Sequence, residues 1–296
     1  MSIKPGSQQS ASWLALLGLI VCSASLASAH VFARLSYAYG VNVLTAAAAR
    51  LTCAGVLVFI YLCLRGAKFP AFGRAYRASF VLGLLACAQT VALQFAVQNL
   101  PVAIAILFFY TFPFFTGIAS AWMGDERLSL KLTLALLAAF AGLALVVGAE
   151  FAQVSLAGVA AALVASVCFT LTLILTPRLA PELSPPMRTF FMMTLAAAIL
   201  LVSLGATGDY SFPNSGSGWA AFSAFALLYG LGINGVFMLL PRLGATQTAV
   251  ALNLEPVLVG IVAFFVVGEL LSLPQIIGAL IVVTAVMAYQ VSVRRR

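Results

Sequence analysis

"LGATQTAVALNLEPVLVGIVAFFVVGELLSL", residues 243–273, falls over "LPVAIAILFFYTFPFFTGIASAWMGDERLSL", residues 100–130, when the chain is laid on itself at an offset of 143 residues. In that register Leu100 meets Leu243, Pro113 meets Pro256, Gly117 meets Gly260, Ile118 meets Ile261 and Glu126 meets Glu269. Leu128, Ser129 and Leu130 then meet Leu271, Ser272 and Leu273. Apolar composition matches Leu with Leu by chance; Pro, Gly and Glu held in one register mark a repeat. The chain divides into related halves, 1–149 and 150–296.

What surrounds the repeat is apolar enough to lie in lipid. Of 296 residues, 64% are hydrophobic and 7% charged, and the mean hydropathy is +1.14. This composition belongs to an integral membrane protein. Apolar runs bounded by charge, Gly or Pro fall at 12–32, 43–64, 78–97, 102–123, 129–147, 156–176, 187–205, 219–240, 246–267 and 274–292. Each is close to the roughly 20 residues that a helix needs to cross a bilayer. The fold class is therefore all-α, with ten transmembrane helices and no room for a soluble catalytic domain. The first run, with Lys4 before it and "SLASA" at its end, has the look of a signal peptide. The repeat needs it as a helix, so it reads as the first span.

Five helices per half is an odd number, so the second half enters the membrane with opposite orientation. Such inverted repeats build secondary transporters, whose site lies near the midplane between halves that rock. The basic residues agree. With both termini cytoplasmic, that side receives Lys4, Arg65, Lys68, Arg74, Arg77, Arg127, Lys131, Arg178, Arg188, Arg242 and Arg294 to Arg296, thirteen of the fifteen Lys and Arg. Arg34 and Arg50 are the exceptions.

Other classes fit poorly. The net charge of +8 is spread over short loops without a clustered basic face, which argues against nucleic acid. Cys22, Cys53, Cys63, Cys87 and Cys168 lie in apolar runs with no CxxC spacing and read as free thiols. There is no P-loop, HExxH or GxSxG and only one His, so neither an enzyme nor a cofactor or metal site is expected. A channel would call for a charged ring or filter from a symmetric assembly, which a pseudo-symmetric chain does not need. Oligomeric state stays open, a monomer included.

A mid-membrane Pro followed by a "GE" or "DE" turn, Leu-Ser and another apolar helix occurs twice, in "FPFFTGIASAWMGDERLSL" and "LNLEPVLVGIVAFFVVGELLSLPQIIGALI". This pattern resembles the EamA-type family of the drug/metabolite transporter superfamily. The resemblance implies a ten-helix, basket-like carrier of small organic metabolites in the bacterial inner membrane, commonly an exporter of amino acids. The phenylalanine-rich "ILFFYTFPFF" resembles the exporters of aromatic and hydrophobic amino acids. The expected activity is export of such amino acids by alternating access. The alternative is carriage of another small amphipathic metabolite or drug, proton-coupled or passive.

Glu255 is the residue that most needs a reason. A charge at mid-membrane costs about 2.5 to 3.5 kcal/mol on insertion scales and usually faces a cavity or a partner. Pro256 lacks an N–H and disturbs the preceding turn, and Pro113 does the same in the first half, where Phe112 replaces the acid. Glu255 attracts a substrate ammonium or takes up a proton, or else it is a structural carboxylate bonded to Arg50 or a neighbouring helix. Arg50 holds a substrate carboxylate bidentately, or snorkels or pairs to fix the fold. His30, with a reference pKa of about 6.5, is a second coupling candidate or an interface residue; Arg34 shares its helix face. Gln94, within a polar stripe of Thr90, Gln94 and Gln98, together with Tyr110, Asn253, Tyr229 and Asn234, lines the cavity or serves as interhelical glue. "GDYSFPNSGSG" reads as a mobile external loop. Glu126 and Glu269 read as caps acting with Ser129 and Ser272.

Overall fold

A computed structural model of the chain describes residues 5–69, 73–125, 129–148 and 155–294. Lys4, Glu126, Arg127, Glu150, Arg295 and Arg296 lie outside the described residues. The first half contains α1 (Pro5–Ala38), α2 (Val43–Leu64), α3 (Arg74–Asn99), α4 (Val102–Phe109), α5 (Phe112–Trp122) and α6 (Leu130–Val147). The second contains α7 (Leu156–Leu179), α8 (Pro185–Thr207), α9 (Gly216–Leu243), α10 (Ala245–Leu252), α11 (Glu255–Val267) and α12 (Leu273–Arg294). They give ten helical stretches long and apolar enough to cross a membrane. The described residues contain no strand.

Twelve helices make ten spans because two spans are broken. α4 and α5 share one, α10 and α11 the other. Pro113 and Pro256 each sit second in the later half-helix, where the missing N–H would be unpaired anyway. Ahead of each proline the ladder tightens. Thr111 N bonds Phe108 O at 3.2 Å, and Asn253 N and Leu254 N bond Val250 O and Ala251 O at 3.2 and 3.0 Å. Hydroxyls add bonds on both sides of the first break: Thr111 donates to Phe108 O at 2.6 Å, and Thr116 and Thr170 both donate to Phe112 O, the first carbonyl of α5, at 2.7 and 3.1 Å. Lipid offers no water for such groups, so broken helices persist only where protein satisfies them.

The packing repeats across the halves. α1 lies along α9 as α3 lies along α7, α2 along α9 as α8 along α3, and α1 against α10 and α11 as α7 against α4 and α5. α2 and α8 pair with each other, and so do α6 and α12. Each relation maps onto another, or onto itself, when the first half is exchanged for the second. Small residues permit these approaches, as expected where lipid supplies no hydrophobic drive between helices. A Cβ on Gly142 of α6 would stand 2.7 Å from Gly278 O of α12, and one on Gly232 of α9 would stand 2.9 Å from Cys22 O of α1. Polar bonds add to the fit: Ser25 donates to Leu228 O at 2.7 Å and Asn234 to Ala54 O at 2.9 Å.

The loop at 208–218 is tied to the connection between α1 and α2. Asn42 donates to Asp209 O at 3.0 Å, Ser211 N to Thr45 Oγ1 at 3.1 Å and Asn214 N to Tyr39 O at 3.2 Å. Phe212 stacks on Trp219 with centroids 5.8 Å apart. The loop is largely exposed, yet several of its polar groups bond the 39–45 connection. Ser129 does cap α6 through Leu132 N at 3.2 Å. Before α12, Ser272 N and Oγ both use Gln275 Oε1, at 2.8 and 3.0 Å, and Glu269 is spent elsewhere.

Candidate functional site

Both helix breaks open onto one cavity, which lies between the halves. α1, α2, α3, α4, α5 and α7 to α11 contribute to its wall; α6 and α12 pair outside it. Phe109, Phe112, Phe169 and Phe237 with Met192 and Met193 make the wall apolar. Phe112 meets Phe169 edge-on at 4.8 Å, a favourable aromatic geometry.

Glu255 is the first residue of α11 and is buried. The open N–H groups of that half-helix stabilise a carboxylate there. His30 Nε2 lies 2.8 Å from Glu255 Oε1, with side-chain exposures of 47% and 10%. The Tyr110 phenol, at the other helix break, is a further polar neighbour of the carboxylate. The sequence allowed Arg50 as the partner of Glu255; the structure gives the acid to His30, because α1 rather than α2 packs against α11.

Arg50 enters the same cavity from α2. Its guanidinium carbon lies 4.7 Å from the Tyr229 ring centroid, a cation–π contact. Its Nε is buried without a hydrogen-bond partner, and none of the ion pairs among the described residues includes it. The cavity therefore holds a carboxylate paired with His30 and a guanidinium that stacks on Tyr229 but has no ion-pair partner among the described residues.

Of the sequence-derived candidates, Arg50, Tyr110, Tyr229, Glu255 and His30 come together on the wall. Gln94, Asn253 and Asn234 do not belong to it. α3 presents Ala86, Gln89 and Leu93, a face rotated by about one residue from the Thr90 stripe, and Thr90 bonds Ala86 O of its own helix at 2.9 Å. Asn253 is buried at the second helix break. Asn234 is spent on the α9–α2 contact. Gln89 and Thr172 were missed. Gln89 carries a sequence signal, a polar residue in an apolar run, whereas Thr172 is indistinguishable from a hydroxyl bonded within its helix.

The EamA-like transporter family model matches residues 13–148 and again 156–289. The chain belongs to the EamA-like transporter family. The match covers nearly the whole chain in two copies, as the packing would suggest. An archaeal relative from Archaeoglobus fulgidus, described as an uncharacterized transporter, is 28% identical over 237 residues, 79% of this chain and 82% of the relative. A solved crystal structure superposes with a TM-score of 0.80 at 20% identity, covering 97% of this chain and 98% of the other; at that identity the likeness speaks for fold. This EamA-like protein is a multi-pass membrane protein of a family that transports small molecules.

Proposed function

We propose that the chain carries amino acids with aromatic or large apolar side chains by alternating access, exporting them across a bacterial inner membrane. The observation behind this reading is one aromatic-walled cavity that holds both an uncommitted guanidinium, Arg50, and a carboxylate, Glu255. A zwitterion sets its α-carboxylate on Arg50 as a charge-assisted pair and its ammonium on Glu255. Its side chain then lies on Phe109, Phe112 and Phe169. With Arg50 and His30 the basic side chains on this wall, a phosphorylated substrate lacks the cations it needs. An ammonium reaching Glu255 competes with His30 for the same oxygen, which makes these two residues the coupling pair. The units of the rocking cycle are 1–149 and 150–296, with both termini cytoplasmic.

One observation favours a second reading. Glu255 is already bonded to His30, so the free charge in the cavity is positive, and a small apolar carboxylate or related amphipathic metabolite without an ammonium suits it. Flux of labelled Phe, Trp, Leu, Thr and Lys in proteoliposomes, with and without a pH gradient, tests both readings. Saturable Phe or Trp flux that 3-phenylpropanoate competes for only weakly supports the zwitterion. Strong competition with little amino-acid flux supports the carboxylate. No amino-acid flux from folded protein removes the proposed substrate and leaves the carrier.

A further inference from the structure

Among the described residues, two ion pairs outside the cavity join the halves, Arg34 with Glu269 and Arg178 with Asp125. The first has Arg34 Nη1 2.6 Å from Glu269 Oε1; in the second, Arg178 also donates to Ile174 O at 2.7 Å. Their positions correspond. Each arginine lies near the C-terminal end of the first helix of its half, α1 or α7. Each acid directly follows a left-handed glycine, Gly124 at φ 79° or Gly268 at φ 78°, that ends a broken span. Arg34 and Arg178 are 144 residues apart, and so are Asp125 and Glu269. The prolines stand 143 apart because α11 reaches its closing glycine one residue later than α5 does.

Spans alternate in direction, so the C-terminal ends of the first and ninth spans share one membrane face and those of the fourth and sixth share the other. The same bond between first helix and broken span is thus made once at each face. Each acid terminates the half-helix whose other end is at the cavity: Glu269 follows α11, which begins at Glu255, and Asp125 follows α5, which begins beside Tyr110. Arg34 lies one turn beyond His30 on the same face of α1, so α1 and α11 are joined at the cavity by His30–Glu255 and at the surface by Arg34–Glu269.

We propose that Arg34–Glu269 and Arg178–Asp125 are quasi-equivalent positioning pairs whose alternate opening sets which membrane face the cavity meets. Both are formed in this structure. A carrier that rocks must part α1 from α11 to open one face and α7 from α5 to open the other, and each parting breaks one pair. With side-chain exposures of 33% to 70% the four groups are reached by water. They therefore bias the equilibrium without locking it, by no more than about fivefold in a conformer ratio for an exposed pair.

The test reads sidedness and needs no substrate, so it is independent of the amino-acid reading and rests only on the carrier fold. In a chain with its five cysteines replaced, Gln89→Cys places one thiol on the cavity wall. An impermeant maleimide is then applied to either face of oriented membrane vesicles. Arg34→Gln or Glu269→Gln is expected to raise labelling from their face relative to the other by about two- to fivefold. Arg178→Gln or Asp125→Asn is expected to shift the ratio the opposite way, and the swap Arg34→Glu with Glu269→Arg to restore it. Unchanged ratios, both pairs shifting one way, or a swap without rescue would overturn the proposal. Should a variant not fold, a short thiol crosslinker between Arg34→Cys and Glu269→Cys replaces it. Labelling lost from that face alone supports the proposal, and labelling unaffected at both faces overturns it.

Discussion

Glu255 was legible in the sequence because burying a carboxylate in an apolar span demands a reason. Its partner was not, since His30 is 225 residues away and Arg50 offered a stronger charge. Glu255→Gln keeps the shape and removes the charge. It is expected to slow flux by about ten- to a hundredfold, the value of one charge-assisted bond, with the unfolding midpoint within a few degrees. A fall in stability at normal flux per folded molecule would make the residue structural. Arg50→Lys keeps the charge but loses the planar fork that stacks on Tyr229 and pairs a carboxylate bidentately. About a tenfold rise in KM with kcat retained is expected in the same vesicles, and an unchanged KM would remove Arg50 from the site. Gln94 gave way to Gln89 because helix period fixes spacing, while the rotation that chooses the cavity face comes from α7 and α8 packing on α3.

At the scale of elements, the two prolines made both helix breaks legible, since an absent N–H acts through covalent structure alone. Pro256→Ala returns that N–H and should let α10 and α11 draw toward one continuous helix, turning the start of α11 from the cavity. Lower flux with a raised or unchanged unfolding midpoint is the expected outcome. The helix crossings are legible only afterwards. Nothing near Gly142 announces that Gly278 O will stand 2.7 Å from its missing Cβ. Gly142→Val drives a branched side chain into that carbonyl, and overpacking of about 1 to 3 kcal/mol should lower the unfolding midpoint in detergent. An unchanged midpoint would mean that α6 and α12 part easily. The bonds of the loop at 208–218 were illegible for a related reason: nothing in its Asp, Asn and Ser announces that the 39–45 connection will bond them.

Over the whole molecule, the number of spans and their twofold repetition came from the chain itself, because hydropathy sets the first and the shared Pro, Gly and Glu register sets the second. The cavity did not, since it is where ten separate helices converge. The halves differ most at their centre. Glu255 faces His30 in one, while Phe112 and Leu173 stand at the corresponding positions of the other in the 143-residue register, where the nearby polar contact is between the Thr116 and Thr170 hydroxyls, 3.3 Å apart. One opening is therefore ionic at its core and the other neutral. Replacing His30 with Gln, which takes the imidazole away from Glu255, should change labelling from the Arg34 face and leave that from the Arg178 face alone; equal change at both would deny the asymmetry.

The matched packing of the halves has one more consequence. Turned upside down, this scaffold presents the same helix pairings to the opposite leaflet, so its packing does not tell top from bottom; the basic residues and the one-sided Glu255–His30 pair do. On the proposed carrier reading, a copy threaded into an artificial vesicle backwards still works, and net flux runs from whichever compartment holds more substrate.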